Sequence, residues 1–268
     1  MKFSIITPSF EQGQYVRQNI DSVLRQGWDN LEHIIADGGS RDETVEILRS
    51  YPHLKWMSEK DEGQADALNK GLSVATGDIV GWINSDDYYL DGALKKVAEA
   101  FADPEVQWVI GEISLFDEAS GEFVAMKSPV VSWDSLQRNP DIVRQQGTFF
   151  RREFLVKVGG WNKEFFMVMD FDLWARLAKH SEPVMLREQL AVFRIQKNQK
   201  SGLSNLHRQA SEQTKVLARE GAAVRHIVSM RLKKEWQWFK GSIKVFLIRI
   251  GLLDKKFLLR PLRGWRGS

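Results

Sequence analysis

Apolar residues along this chain alternate between strand-like runs and helix-like spacing, and each change marks an element. Lys2–Thr7 is a β-branched and aromatic run stopped by Pro8, which predicts a strand. Tyr15–Gln26 carries Val16, Ile20, Val23 and Leu24 at helical spacing. His33–Ala36 predicts a second strand, ending in the turn-forming Asp37-Gly38-Gly39-Ser40. A helix over Asp42–Ser50 and a short strand over Leu54–Met57 follow. Gly63–Ala75 sets Ala67, Leu68, Leu72 and Ala75 along one side of a helix closed by Gly77. Asp78–Ile83 predicts a strand with Asn84-Ser85-Asp86-Asp87 at its carboxyl end, and Gly92–Phe101 the next helix. Strands alternating with such helices argue for an α/β fold, a mostly parallel sheet with helices on both faces.

After Val106–Gly111 the rhythm changes. Ile113–Phe116, Phe123–Ala125 and Gly147–Phe150 predict short strands, Arg152–Val158 and Asp170–His180 helices, and Leu190–Ile195 another strand. Lys197–Asn205 predicts a polar loop. In the tail, Val228, Leu232, Trp236, Phe239, Ile243, Phe246, Ile250 and Leu253 recur every three or four residues, one face of a helix with most basic residues off the stripe.

Composition narrows the function classes. The 268 residues are 43% hydrophobic and 27% charged, which excludes a disordered chain or a coiled-coil rod. Cysteine is absent, so disulfide scaffolds, thiolate zinc sites, iron–sulfur clusters and cysteine nucleophiles are excluded. No apolar run reaches the ~20 residues of a membrane span. The start, Met1-Lys2-Phe3-Ser4-Ile5-Ile6-Thr7-Pro8, is too short in apolar residues for a secretory signal, so a soluble or surface-attached protein is expected. The net charge of +3 hides an asymmetry: twelve Lys and Arg from Arg225 onward face only Glu235 and Asp254. An acidic body with a basic tail suggests that the tail meets something anionic.

Ligands of open α/β sheets bind outside the carboxyl ends of the strands. Glu11, Asp37 and Asp86-Asp87 fall at such ends. Oxygen ligands of this kind suit a hard divalent cation that completes its shell with substrate phosphates and water. Capping of the turn and the following helix by Asp86 and Asp87 is the equally open alternative.

At this point the chain resembles the family 2 glycosyltransferases, which have the GT-A fold. The resemblance rests on Ser4-Ile5-Ile6-Thr7-Pro8-Ser9-Phe10 through Ile20-Asp21-Ser22-Val23-Leu24, on Asp37-Gly38-Gly39-Ser40-Arg41-Asp42-Glu43-Thr44, and on Asp61 through Gly71. Ala75-Thr76-Gly77-Asp78, Asn84-Ser85-Asp86-Asp87 and Met169-Asp170-Phe171-Asp172-Leu173-Trp174 extend it, so that it runs from about Lys2 to Leu203. It implies a GT-A catalytic domain over 1–206, in which residues 1–111 bind the nucleotide and residues 112–206 the acceptor. A basic, Trp-containing helical extension over 207–268 follows.

The implied reaction moves a sugar, with inversion, from a nucleoside-diphosphate donor, UDP by expectation, to a hydroxyl of a glycan or lipid-linked acceptor in surface polysaccharide synthesis. By the same resemblance Asp87 is the direct ligand of Mn²⁺ or Mg²⁺, and Asp86 reaches the metal through water or holds the ribose or sugar. Asp170 is the base that takes the acceptor proton, with Asp172 the alternative if the register slips. Asp37 accepts a hydrogen bond from uracil; Thr7, Ser9 and Glu11 line the same pocket; Asp66 and Lys70 point toward the donor. Trp82 and Trp174 are expected in the core, and Trp161 as a stacking platform.

Two departures stand out. Gln196 follows Phe193-Arg194-Ile195 where the family often has a metal-contacting His, with His207 or water as substitutes. Met169 stands where Glu is common. A catalytically inactive nucleotide-sugar binder and a metal-dependent nucleotidyltransferase are the competing readings; the latter lacks a Gly-rich phosphate loop. The tail lies outside the resemblance. Its cations and tryptophans over 226–268 fit an anionic membrane surface better than nucleic acid, placing the protein in the cytoplasm, peripheral to the inner face of the membrane. Packing of the stripe on the body or on a second copy is the alternative.

Overall fold

The computed structural model describes residues 1–196 and 205–249. Positions 197–204 of the expected loop, and Ile250 and Leu253 of the tail stripe, lie outside the described residues. Among the described residues nine strands, β1 (Phe3–Ser9), β2 (Leu31–Asp37), β3 (Lys55–Ser58), β4 (Ile79–Trp82), β5 (Tyr88–Tyr89), β6 (Trp108–Asp117), β7 (Glu122–Met126), β8 (Thr148–Arg151) and β9 (Val184–Ile195), form one sheet. Its order is β3-β2-β1-β4-β8-β6-β9-β5, with β7 paired to β6. Strands β1 to β4, β6 and β9 run one way and β5, β7 and β8 the other, so the sheet is mixed but mostly parallel in direction.

Helices cover both faces. Those described are α1 (Gly13–Leu24), α2 (Thr44–Arg49), α3 (Gln64–Val74), α4 (Ala93–Ala100), α5 (Trp133–Arg138), α6 (Arg152–Lys157), α7 (Met169–Ala178), α8 (Leu206–Arg219) and α9 (Val224–Arg249). On one face α3 and α5 to α9 enclose an aromatic core. Trp174 stacks against Trp108 at 6.0 Å and Phe150 at 5.7 Å, and Trp82 meets Trp161 edge-on at 5.6 Å. On the other, α1 and α4 bury Val23, Leu94 and Val97 against Phe3, Ile5 and Phe149. Such two-sided burial is why β1 is buried at every position.

Several boundaries moved for visible reasons. β1 runs through Pro8 to Ser9, although a proline was expected to end it. Pairing with β4 has already stopped at Ile6↔Trp82, so the side on which Pro8 lacks its N–H has no strand to serve. The short piece expected over Ile113–Phe116 is the second half of a longer strand, β6, with a register shift around Glu112. Gly77 does not close α3 by a left-handed turn; a side chain there would come within 2.7 Å of the Ser4 nitrogen, so the residue is required by close approach to β1. β5, α5, the 3-10 turn Gln145–Gly147 and α8 were not singled out from the sequence.

The described part of the helical extension, α8 and α9, is not a separate body. Val216 and Leu217 of α8 and Met230 of α9 join the same core as Trp82 and Trp174.

Candidate active site

The carboxyl ends of β1, β2 and β4 lie along one rim of the sheet, and a web of short polar contacts ties their loops together. Glu11 is the one non-glycine residue with a left-handed backbone among the described residues, at φ 54°. Its amide donates to Ser40 Oγ at 2.7 Å, and its Oε1 accepts from the Arg41 amide at 3.0 Å, so the loop after β1 is laced to the loop after β2.

Asp37 stands at the expected place, the end of β2, and is buried. Its Oδ2 accepts from the amides of Gly39 (3.1 Å) and Ser40 (2.9 Å) and from Ser58 Oγ (2.6 Å), while Ser40 Oγ donates to Oδ1 at 2.5 Å. The carboxylate thus organises its own turn and the end of β3. Thr7 is on β1, with its hydroxyl 3.0 Å from His33 Nε2 of β2 and 3.3 Å from Asn19 Oδ1 of α1. Ser9 is buried with a hydroxyl that has no partner among the described residues, while Glu11 is exposed.

The segment after β4 is the densest part of the site. Asn84 Oδ1 accepts from Gln64 Nε2 (2.7 Å) and from the Trp82 indole (3.0 Å), and Asn84 Nδ2 donates to Gln145 Oε1 (3.2 Å). Asp87 is 1% exposed. Its Oδ1 accepts from the Arg194 amide (2.9 Å), and its Oδ2 from Gln146 Nε2 (2.8 Å). Burial, and then the neighbouring charge of Asp86, push the Asp87 carboxyl well above the ordinary carboxylate range.

Asp86 is half-buried, and its Oδ2 accepts from Gln196 Nε2 at 2.7 Å. Burial raises its pKa as well, with the Gln196 hydrogen bond and the Arg194 charge acting against the rise. Arg194 braces the segment: its Nε donates to the Asp86 carbonyl (3.0 Å), its guanidinium also bonds Gln18, and it lies 4.9 Å from the Tyr15 ring centre.

The expected direct ligand, Asp87, therefore has both oxygens engaged inside the protein, and Asp86 is the acid of the pair that meets the rim. A hard divalent cation fits this donor set. Asp86 supplies a carboxylate whose charge is poorly solvated, and Gln196 an amide oxygen beside it. No group of three or more Asp, Glu or His able to hold a metal exists among the described residues. Such a cation takes most of its shell from diphosphate and water.

The second acid pair divides the same way. Asp172 is fully buried between Arg176 Nη2 (2.7 Å) and Arg219 Nη2 (2.5 Å), which removes it as the alternative base. Asp170 is half-exposed in the first turn of α7, its Oδ1 accepting from the Phe171 amide, and it lies close enough to Arg144 to stabilise that cation. Residues 144–146 connect the two halves of the site. Gln146 holds Asp87, Gln145 bonds Asn84 and the Trp82 carbonyl, and Arg144 faces Asp141 and Asp170. Sequence reasoning missed Gln145 and Gln146; two consecutive amides leading into an apolar strand were the available signal.

Asp66 and Lys70, on α3, are ion-paired to each other at 3.5 Å. Lys163 Nζ bridges Asp66 (3.2 Å) and Glu62 (2.8 Å), and Lys70 Nζ reaches Glu59 (2.8 Å). They form a charged border beside Gln64 rather than a section of the Asp86 web. Trp161 is 1% exposed and packs on Trp82, so its expected role as a stacking platform fails; Trp82 and Trp174 are core as expected. His207 lies under Trp238 on α9, 4.9 Å between ring centres.

Comparison with known proteins gives this geometry a context. The model of glycosyl transferase family 2 matches residues 4–159. A PGL/p-HBAD biosynthesis glycosyltransferase of Mycobacterium bovis is 30% identical over 217 residues, covering 76% of this chain and 79% of that protein. Among solved structures, S. aureus TarS 1-349 in complex with UDP-GlcNAc superposes with a TM-score of 0.67 at 17% identity, over 88% of this chain and 73% of that one. In the complex of the same protein with UDP, the chain spans 65% of that chain's length. The mannosyltransferase PcManGT from Pyrobaculum calidifontis, in complex with GDP-Man and Mn²⁺, gives 0.62 at 18% identity, over 87% of this chain and 69% of that one. At these identities the structures establish the fold, which is GT-A.

Proposed function

We propose that this chain, which belongs to glycosyl transferase family 2, transfers a sugar with inversion from a UDP-linked donor to a hydroxyl of a glycan or lipid-linked acceptor in surface polysaccharide synthesis. It is a glycosyltransferase by family; donor, stereochemistry and acceptor are our reading. The observation that carries it is the parallel splitting of two acid pairs. Asp87 and Asp172 are sealed into the protein, while their neighbours Asp86 and Asp170 reach the surface on either side of the Arg144–Gln146 turn.

In this reading Asp170 accepts the proton of the acceptor hydroxyl as its oxygen bonds to the anomeric carbon. The bond from that carbon to the diphosphate breaks in the same displacement, and the nucleoside diphosphate leaves with the bonding pair. Asp86 and Gln196 would hold Mn²⁺ or Mg²⁺, which when bound neutralises charge developing on the departing diphosphate. Gln196 aims the Asp86 carboxylate, and Asp87 anchors the loop that carries it. Asp37 shapes the turn against which the base rests, with Thr7, Ser9 and Glu11 building the floor and lip of that pocket. Asp66 and Lys70 border the donor side. Residues 1–111 bind the nucleotide, residues 112–206 the acceptor, and 207–268 form the extension. UDP-GlcNAc and UDP in complexes of TarS, and GDP-Man and Mn²⁺ in a complex of PcManGT, support a nucleotide-sugar donor. A peripheral position on the inner face of the membrane completes the reading.

Asp170→Asn tests it: turnover should fall by about 100-fold or more, while UDP affinity, followed by calorimetry, stays within about twofold. Undiminished turnover would reject Asp170 as the base.

A further inference from the structure

Helix α9 has two unlike faces over its described residues. Toward the body it presents Ile227, Met230 and Lys234, spaced by three and four and therefore on one side. Lys234 Nζ reaches Asp141 Oδ2 at 2.5 Å and Gln209 Oε1 at 3.2 Å. The apolar stripe Val228, Leu232, Trp236 and Phe239 lies on the opposite side, 51, 66, 57 and 48% exposed. A surface helix ordinarily turns its apolar side to the core. This one turns Ile227 and Met230 to the core yet leaves a second apolar row outside, where large side chains stay in contact with water.

What surrounds the stripe identifies what covers it. Arg225, Arg231, Lys233 and Lys240 are exposed beside it, and Glu235 is the acid among them. Lys240 Nζ sits 5.0 Å from the Trp236 ring centre, and Trp236 stacks on Phe239 at 5.8 Å. Indole and phenyl groups framed by cations match a boundary with hydrocarbon below and phosphate above. A second copy would bring four like charges against four, which opposes self-pairing. The sequence beyond position 249 adds Lys255, Lys256, Arg260, Arg263 and Arg266 against Asp254.

We infer that the outward face of α9 docks on an anionic lipid surface. Leu232, Trp236 and Phe239 enter the headgroup boundary, and Arg225, Arg231, Lys233 and Lys240 pair with lipid phosphates. The opposite face fastens the catalytic body through Met230 and the Lys234–Asp141 pair. Docking needs neither donor nor turnover, so it stands or falls separately from the transfer reaction.

The full chain should sediment with vesicles of about one-third phosphatidylglycerol in phosphatidylcholine and bind purely neutral vesicles much less, with salt weakening the attachment. Leu232→Ser/Trp236→Ser/Phe239→Ser should weaken partitioning about tenfold or more with the melting temperature unchanged, since these side chains are exposed. Lys233→Glu/Lys240→Glu should weaken it on anionic vesicles while leaving the fold intact, which keeps the test decisive if the triple variant misfolds. Equal sedimentation of both variants and the unaltered chain, or none by the unaltered chain, would overturn the inference. So would light scattering that finds a dimer converted to monomer by the triple substitution.

Discussion

Burial alone would push the Glu32 carboxyl up, yet Lys55, the Ser4 hydroxyl and the Thr76 amide and hydroxyl hold it at about 2. Its folded-state pKa is thus below the ordinary 4.5, so the charge stabilises the fold above about pH 4.5, and that contribution disappears as pH falls toward 2. Glu32→Gln should cost about 2–3 kcal/mol at pH 7 and little near pH 2, measured by urea denaturation. An equal deficit at both pH values would show that the lost interaction is not ionic. His33 adds acid sensitivity of the same sign: burial, then nearby His53, lower its pKa to about 3, so the unfolded chain takes up a proton below about pH 6.5 that the folded chain refuses. At this scale the sequence named the acids but not their states. Asp86 and Asp87 are identical residues side by side, and only the Gln146 and Arg194 contacts decide which one is sealed in.

Element positions were legible wherever an apolar period was clean, as in β1, β2, α1 and α3, and blurred where another constraint intervened. β9 begins at Val184, six residues before the expected start, because its first half, Val184–Gln189, runs three apolar then three polar residues, none of them fully buried, and carries no strand-like alternation. α5 gave little apolar signal and is set instead by its start, where Ser132 Oγ accepts from the Ser135 amide and Ser135 Oγ from the Ser132 amide. Gly77 belongs to this scale too. A side chain there would lie 2.7 Å from the Ser4 nitrogen and 2.8 Å from the Phe3 carbonyl carbon, both fixed in a central strand. Gly77→Ala should therefore destabilise by about 1–3 kcal/mol in chemical denaturation. A neutral or stabilising effect would mean that β1 can yield.

For the whole molecule, the division at residue 206 expected from the extent of the family resemblance does not coincide with a physical boundary. Val216, Leu217 and Met230 are buried in the core that holds Trp82 and Trp174. Three such side chains contribute about 5–9 kcal/mol of burial, comparable with the total stability of a domain. A fragment ending at residue 206 should therefore fail to give a cooperative thermal transition, whereas one ending at residue 240, which keeps Met230 and Lys234, should melt close to the full chain. Circular dichroism separates the outcomes, and independent folding of the shorter fragment would refute the shared core. No helix among the described residues is long and apolar enough to cross a membrane.

Local pattern and composition determined the α/β class, the positions of most strands and helices, the acids at strand ends and the helical tail. These follow from periodicities carried by neighbouring residues. The assembled fold alone decided that Asp87 and Asp172 are buried, that Gln145 and Gln146 link the two acid pairs, that Trp161 is core, and that Val228, Leu232, Trp236 and Phe239 of the tail face outward. Each depends on contacts between residues far apart along the chain, such as Asp87 with Arg194 and Lys234 with Asp141. No local period encodes which side of a helix finds a partner.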